Sequence, residues 1–251
     1  MNFLTRLFFG FGFAFRGLRA ITKERRLKMW SLVPFLIGLL LMIAGFAFIL
    51  FFLPTLMTEL LAERLAITAD SKGYLYYPLF VIASILMIIF NVYLSYWITL
   101  IFSSPVYSYM AEIVQGKILG SSPSTLRLQL AVKMMFQALF KGVIFSSIGA
   151  LLFLFAFFIP VLNILATFLL FFVIATDSSD YALESLGQTL SSRIAFYKKH
   201  FAEFFGLSLF IGATLIIPGF LLLVMPAVVV GVSEFVYTQK KEEKNDSRSY
   251  T

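Results

Sequence analysis

Two uncharged stretches, Gly142–Thr176 and Phe204–Ser233, constrain this chain more than any other feature. They run 35 and 30 residues, and each is broken near its middle, at Ile159-Pro160 and Ile217-Pro218. One membrane span takes about 20 helical residues to cross about 30 Å of hydrocarbon, so two spans and a turn need more than about 40. Each stretch is therefore too long for one crossing and short for two. A helical hairpin folding back at the proline solves the length problem, with an apex that need not reach the far side. The alternative is a proline kink in one tilted helix, which gives four spans and moves the 177–203 connector to the opposite face. Half-membrane hairpins suit channels and transporters better than simple anchors.

The remaining composition agrees. The chain is 60% hydrophobic and 13% charged, with a mean hydropathy of +0.93, whereas soluble domains carry about 25% charged residues. The expected fold class is an all-α integral membrane protein. It has two long transmembrane helices, two proline-turned, partly penetrating hairpins, and amphipathic interfacial helices. A single membrane domain covers 1–239. Within it, 1–26 is a basic, Phe-rich interfacial helix, 27–54 the first span, 55–75 an outer amphipathic segment and 76–103 the second span. An interfacial helix and loop occupy 104–124, with a Ser103-Ser104-Pro105 stop before them and Gly120-Ser-Ser-Pro-Ser124 after. Hairpin 1 is 125–176, the connector 177–203, hairpin 2 204–237, and the charged tail 240–251 is expected to be disordered. The sequences at the two turns, around Asn163 and Gly219, hold few of the polar residues that water-exposed turns recruit, so the turns are expected to be covered.

Charge sets the orientation. Seven Lys/Arg fall within the first 28 residues against Glu24 alone, which places the N-terminus on the cytoplasmic side and in contact with anionic membrane lipids. No nucleic-acid-binding module accompanies the charge, and no signal-peptide core is expected. The chain has no cysteine, phosphate loop, histidine pair or Gly-x-Ser-x-Gly elbow, so no catalytic residue, cofactor or metal is assigned and an enzyme is not expected. His200 reads as an interfacial residue at the entrance to hairpin 2. Asp177 and Asp180 read as a helix-initiating loop, with Glu184 completing a weak acidic cluster. Asn91, Ser95 and Thr99 repeat every four residues on one face of the second span, either lining a polar path or bonding across helices. The candidate substrate site is Gly17, Leu18 and Arg19 with Arg25, Arg26 and Lys28. If the first helix ends near Gly17, free N–H groups and guanidiniums together suit a tetrahedral oxyanion.

The order of landmarks resembles the CysZ family of bacterial sulfate permeases, within the etoposide-induced-protein domain superfamily. The resemblance runs from Phe9-Gly10-Phe11 and Gly17-Leu18-Arg19-Ala20-Ile21 through Val33-Pro34-Phe35-Leu36-Ile37 and Ser104-Pro105-Val106. It continues with Phe158-Ile159-Pro160, Asp180-Tyr181, Ile217-Pro218 and Met225-Pro226-Ala227. It implies an oligomer of the bacterial inner membrane that takes up sulfate for cysteine synthesis; with the charge pattern and the hairpins, the expectation is a multi-pass homo-oligomer with both termini cytoplasmic. It also implies that Gly17, Leu18 and Arg19 belong to an oxyanion site near the membrane surface. The chain departs from the family pattern in the basic pair before Pro34, where Lys28-Met29 stands, and at Gly38, Gly219-Phe220 and the residue after Tyr181. A non-transport membrane scaffold or lipid-interacting protein is the competing expectation, favoured by the Phe-rich amphipathic ends.

Overall fold

A computed structural model describes residues 2–59, 72–121, 128–217 and 219–249. Every element in them is an α-helix: α1 Phe3–Phe11, α2 Phe13–Lys23, α3 Arg25–Glu59, α4 Lys72–Leu119, α5 Leu128–Phe158, α6 Pro160–Ser185, α7 Leu190–Lys199, α8 Phe201–Thr214 and α9 Phe220–Ser249. Four of these, α3, α4, α6 and α9, contain stretches long and apolar enough to cross a membrane. Most of the 55–75 segment, the end of the 120–124 loop and Pro218 itself lie outside the described residues.

The first hairpin turns where local backbone rules require it. Ile159 is extended (φ −133°, ψ 96°), because a following proline disfavours the α conformation, and Pro160 starts α6 at a position where its missing N–H costs nothing. Helices α5 and α6 then pack against each other, so the proline closes a hairpin and does not kink a single helix. The second hairpin is lopsided. Helix α8 has 14 residues, a rise of about 21 Å that falls short of a 30 Å core, while α9 has 30. Its arms also diverge: α8 packs on α1 and α6, and α9 on α2 and α6.

The chain forms two compact units, one of residues 1–35 and 100–251, the other Leu36–Thr99. In the second unit the Asn91 amide donates to the Met42 carbonyl at 3.3 Å, and Gly45 makes the space for it, since a Cβ there would lie 1.7 Å from Asn91 Oδ1. Ser95 and Thr99 continue the buried stripe by bonding within their own helix. The stripe's inter-helix bond serves helix packing.

In the first unit the N-terminal helices dock through glycine. Gly10 of α1 lies against the Glu203 carbonyl of α8, and Gly206 of α8 against that of Leu7; an added Cβ would sit 1.8 and 1.9 Å from those oxygens. Gly17 of α2 and Gly231 of α9 repeat the arrangement against Ala227 and Phe13, at 1.8 and 2.0 Å. Small residues at both crossings let the backbones touch. A bidentate ion pair fastens the first crossing: Arg6 Nε and Nη2 donate to Glu203 Oε1 and Oε2 at 2.7 and 2.8 Å, and Nη2 also reaches the Lys199 carbonyl.

Several expectations need correction. The basic N-terminus is two helices, split at Gly12, with Gly17 inside the second. No stop occurs at Ser103-Ser104-Pro105; α4 runs through it. A proline inside a helix costs about 3 kcal/mol, but Tyr107, Met110 and Ala111 within the next two turns are fully buried, and that packing carries the helix past. Asp177 and Asp180 do not begin a helix but sit within α6, held by Lys141 of α5 at 3.7 and 2.7 Å. Residues 240–249 continue α9, aided by the Lys240–Glu243 pair at 2.8 Å, where disorder was expected. Among the described apex residues, Ile159, Ile216 and Ile217 are all more than half exposed in the single chain, which leaves the expected cover to a neighbouring subunit.

Candidate functional site: a cationic cleft beside the second helix

Helix α2 presents three faces. Phe13, Ala14, Gly17 and Ile21 are buried on α9; Phe15 and Leu18 are exposed and apolar; Arg16, Arg19 and Lys23, at i, i+3 and i+7, form a cationic third face. That third face borders a cleft of about 370 Å³. Its other walls come from Leu27 of α3, Val114, Lys117 and Ile118 of α4, and Val230 and Glu234 of α9.

Charge in the cleft is unevenly compensated. The Arg16 guanidinium lies 3.6 Å from the centre of the Phe9 ring and donates to the Phe9 carbonyl. Burial pulls its pKa down and Glu234 opposes that, so Arg16 already has an anionic neighbour. Lys117 pairs with Glu24 at 2.6 Å, and this contact holds the Glu24 carboxyl below its ordinary pKa. Arg19 and Lys23 are exposed, and among the described residues neither has a side-chain ion-pair partner. Two positive charges thus remain open at the rim. Separated by one helical turn, they leave the rim with an uncompensated double positive charge, which attracts anions.

A scan against family models matches residues 13–226 to the family described as sulfate transporter CysZ/etoposide-induced protein 2.4. The chain belongs to that family. A search of curated proteins returned no match. The matched region contains all of α2 and most of the cleft's lining, up to the first turns of α9.

Of the six residues that the sequence placed at the site, three of them also by resemblance to the CysZ family, only Arg19 lines the cleft. Gly17 is taken up by the α2–α9 crossing, and its amide lies inside a helix, so no free helix N-terminus forms there. Leu18 points out on the apolar face. Arg25, Arg26 and Lys28 are exposed and outside the lining. Lys23 and Arg16 had a legible signal in their helical spacing with Arg19. Lys117 and Glu234 had none, because they reach the cleft from helices about a hundred and two hundred residues away.

The two aspartates of the acidic cluster are paired within the fold. Asp180 accepts from Lys141 at 2.7 Å and from Tyr197 at 2.5 Å, with Arg193 at 3.6 Å, so the acidic cluster serves as a tie between α5, α6 and α7. Burial and Asp180 together raise the Tyr197 phenol pKa and keep it protonated. His200 is buried within the protein, 5% exposed, tilted against Phe196 at 4.5 Å and edge-on to Phe235 at 5.0 Å.

Proposed function

We propose that this protein carries a small inorganic oxyanion across a bacterial inner membrane, with sulfate, taken up for cysteine synthesis, as its substrate. The observation that carries this reading is the pair of uncompensated cations, Arg19 and Lys23, on a cleft whose other positive groups already have anionic neighbours. Their summed charge equals that of a dianion. Family membership supports the same substrate class. Recruitment is electrostatic, raising the local anion concentration at the cleft mouth, and passage is channel-like or driven by a gradient. Assembly as a homo-oligomer and cytoplasmic placement of both termini belong to this reading, as does a non-enzymatic role.

The test is uptake of radiolabelled sulfate into proteoliposomes holding the purified chain. A cation near a surface contributes about 1 kcal/mol to holding an anion, and 1.4 kcal/mol is tenfold. The double change Arg19→Ala/Lys23→Ala is therefore expected to lower initial uptake by on the order of tenfold at sub-saturating sulfate, with membrane insertion intact. Uptake no better than empty vesicles for the wild-type chain would instead favour a lipid-interacting scaffold. The exposed Phe3, Leu4 and Phe8 of α1 are the observation behind that second reading.

A further inference from the structure

The cleft is built for more than a bare ion. Its volume of about 370 Å³ falls in the range of sites for organic ligands and exceeds what one tetrahedral oxyanion fills. Its walls are largely apolar, from Leu27, Val114, Ile118 and Val230, with Lys117 and Glu234 the charged groups among them. An inorganic dianion gains nothing from those side chains, whereas a molecule with an anionic head and a hydrocarbon body matches rim and wall together. The surroundings supply such a molecule. Phe15 and Leu18, 55% and 54% exposed, border the cationic face of α2, and Leu4 and Phe8 extend the outward apolar surface along α1. A cationic face beside an exposed apolar face is the pattern of a helix lying at the headgroup boundary of a membrane.

We propose that the cleft takes the phosphate of an anionic glycerophospholipid on Arg19 and Lys23, so that membrane lipid and free oxyanion compete for one site. The competition rests on the oxyanion reading above; the lipid site does not. The lipid's acyl chains lie along Phe15 and Leu18, and its glycerol region meets the apolar walls. Zwitterionic lipids bear the same phosphate but carry their own cation, so they bind less well. Occupancy then follows the anionic lipid content of the leaflet, and lipid composition sets how much free oxyanion the cleft holds.

Native mass spectrometry of the full-length chain in detergent tests this with phosphatidylglycerol and phosphatidylcholine as probes. The wild-type chain is expected to retain phosphatidylglycerol in clear preference. Arg19→Ala/Lys23→Ala should lose at least fivefold of that adduct, and both positions are exposed, so folding is preserved. Arg25→Ala/Arg26→Ala, equally basic but outside the cleft, should keep it. Sodium sulfate should displace the lipid more strongly than sodium chloride at equal ionic strength. Retention of phosphatidylglycerol by the first variant, or equal loss in both, would overturn the lipid site while leaving the uptake experiment to judge the oxyanion. Loss in the first variant alone, with no advantage of sulfate over chloride, would overturn the competition and place the fault in the oxyanion reading.

Discussion

Gly231→Val is expected to separate α9 from α2 and to be among the most damaging single changes in the chain. Its added Cβ would fall 2.0 Å from the Phe13 carbonyl oxygen and 3.0 Å from the Gly17 amide nitrogen. The obstacle is backbone, so no side-chain rotation relieves it; the helices must move apart. Overpacking costs about 1–3 kcal/mol where side chains can yield, and the upper end or more is expected here. At about 2–4 °C per kcal/mol for a chain of this size, the melting temperature in detergent should fall by on the order of 10 °C. Gly17→Val should do the same against the Ala227 carbonyl. Gly12→Ala is the control: its nearest neighbour is 3.4 Å away and its φ is −78°, so little change is expected. If the three variants melt alike, close backbone contact is not what holds α2 and α9 together.

His200→Phe is expected to stabilise the protein and flatten its response to acid. The imidazole is buried between Phe196 and Phe235, and neither ring nitrogen has a hydrogen-bond partner. The nearest carboxylate oxygen, Glu203 Oε1, is 3.7 Å away and already committed to Arg6. An unsatisfied buried polar group costs about 1–3 kcal/mol, so a phenyl ring in its place should gain roughly 1 kcal/mol. The sign of the pH effect follows from the same burial. Desolvation is the largest influence and lowers the His200 pKa; Glu203 opposes it, and Lys199 and Arg6 add to it. The unfolded chain therefore takes up the proton first. Stability from this group is complete above pH 6.5, declines as pH falls through 6.5, and levels off below the folded pKa. Melting temperatures measured from pH 7.5 to 5 should slope downward for the wild type and be flatter for the variant. Parallel slopes would show that another group carries the dependence.

The elements that the sequence made legible are those governed by neighbours along the chain. Pro160 restricts Ile159 and permits the start of α6, and Lys/Arg, Phe and the uncharged runs mark membrane and interface. The misread elements depend on partners far away in sequence. Pro105 looks like a stop until Tyr107 and Met110 are seen to be buried, and Asp180 looks like a loop residue until Lys141 and Tyr197 close on it. The site divides the same way. Arg16, Arg19 and Lys23 show their common face by spacing alone, but Glu24 and Glu234 decide which cations are spent, and only the fold brings Lys117 and Glu234 to α2. Gly17 lies inside α2 against the Ala227 carbonyl where a freed amide was expected, because a glycine that admits a carbonyl and one that frees an amide are identical as letters.

The contacts of α1 with α8 and of α2 with α9 join the two ends of the chain; Arg6 and Glu203 stand 197 positions apart. A ribosome releases α2 long before α9 exists, so during synthesis the cationic face waits without its wall. Contacts of such high sequence separation form late. The cleft is thus completed only once α9 is made, and a chain interrupted before Val230 can enter a membrane without yet possessing it.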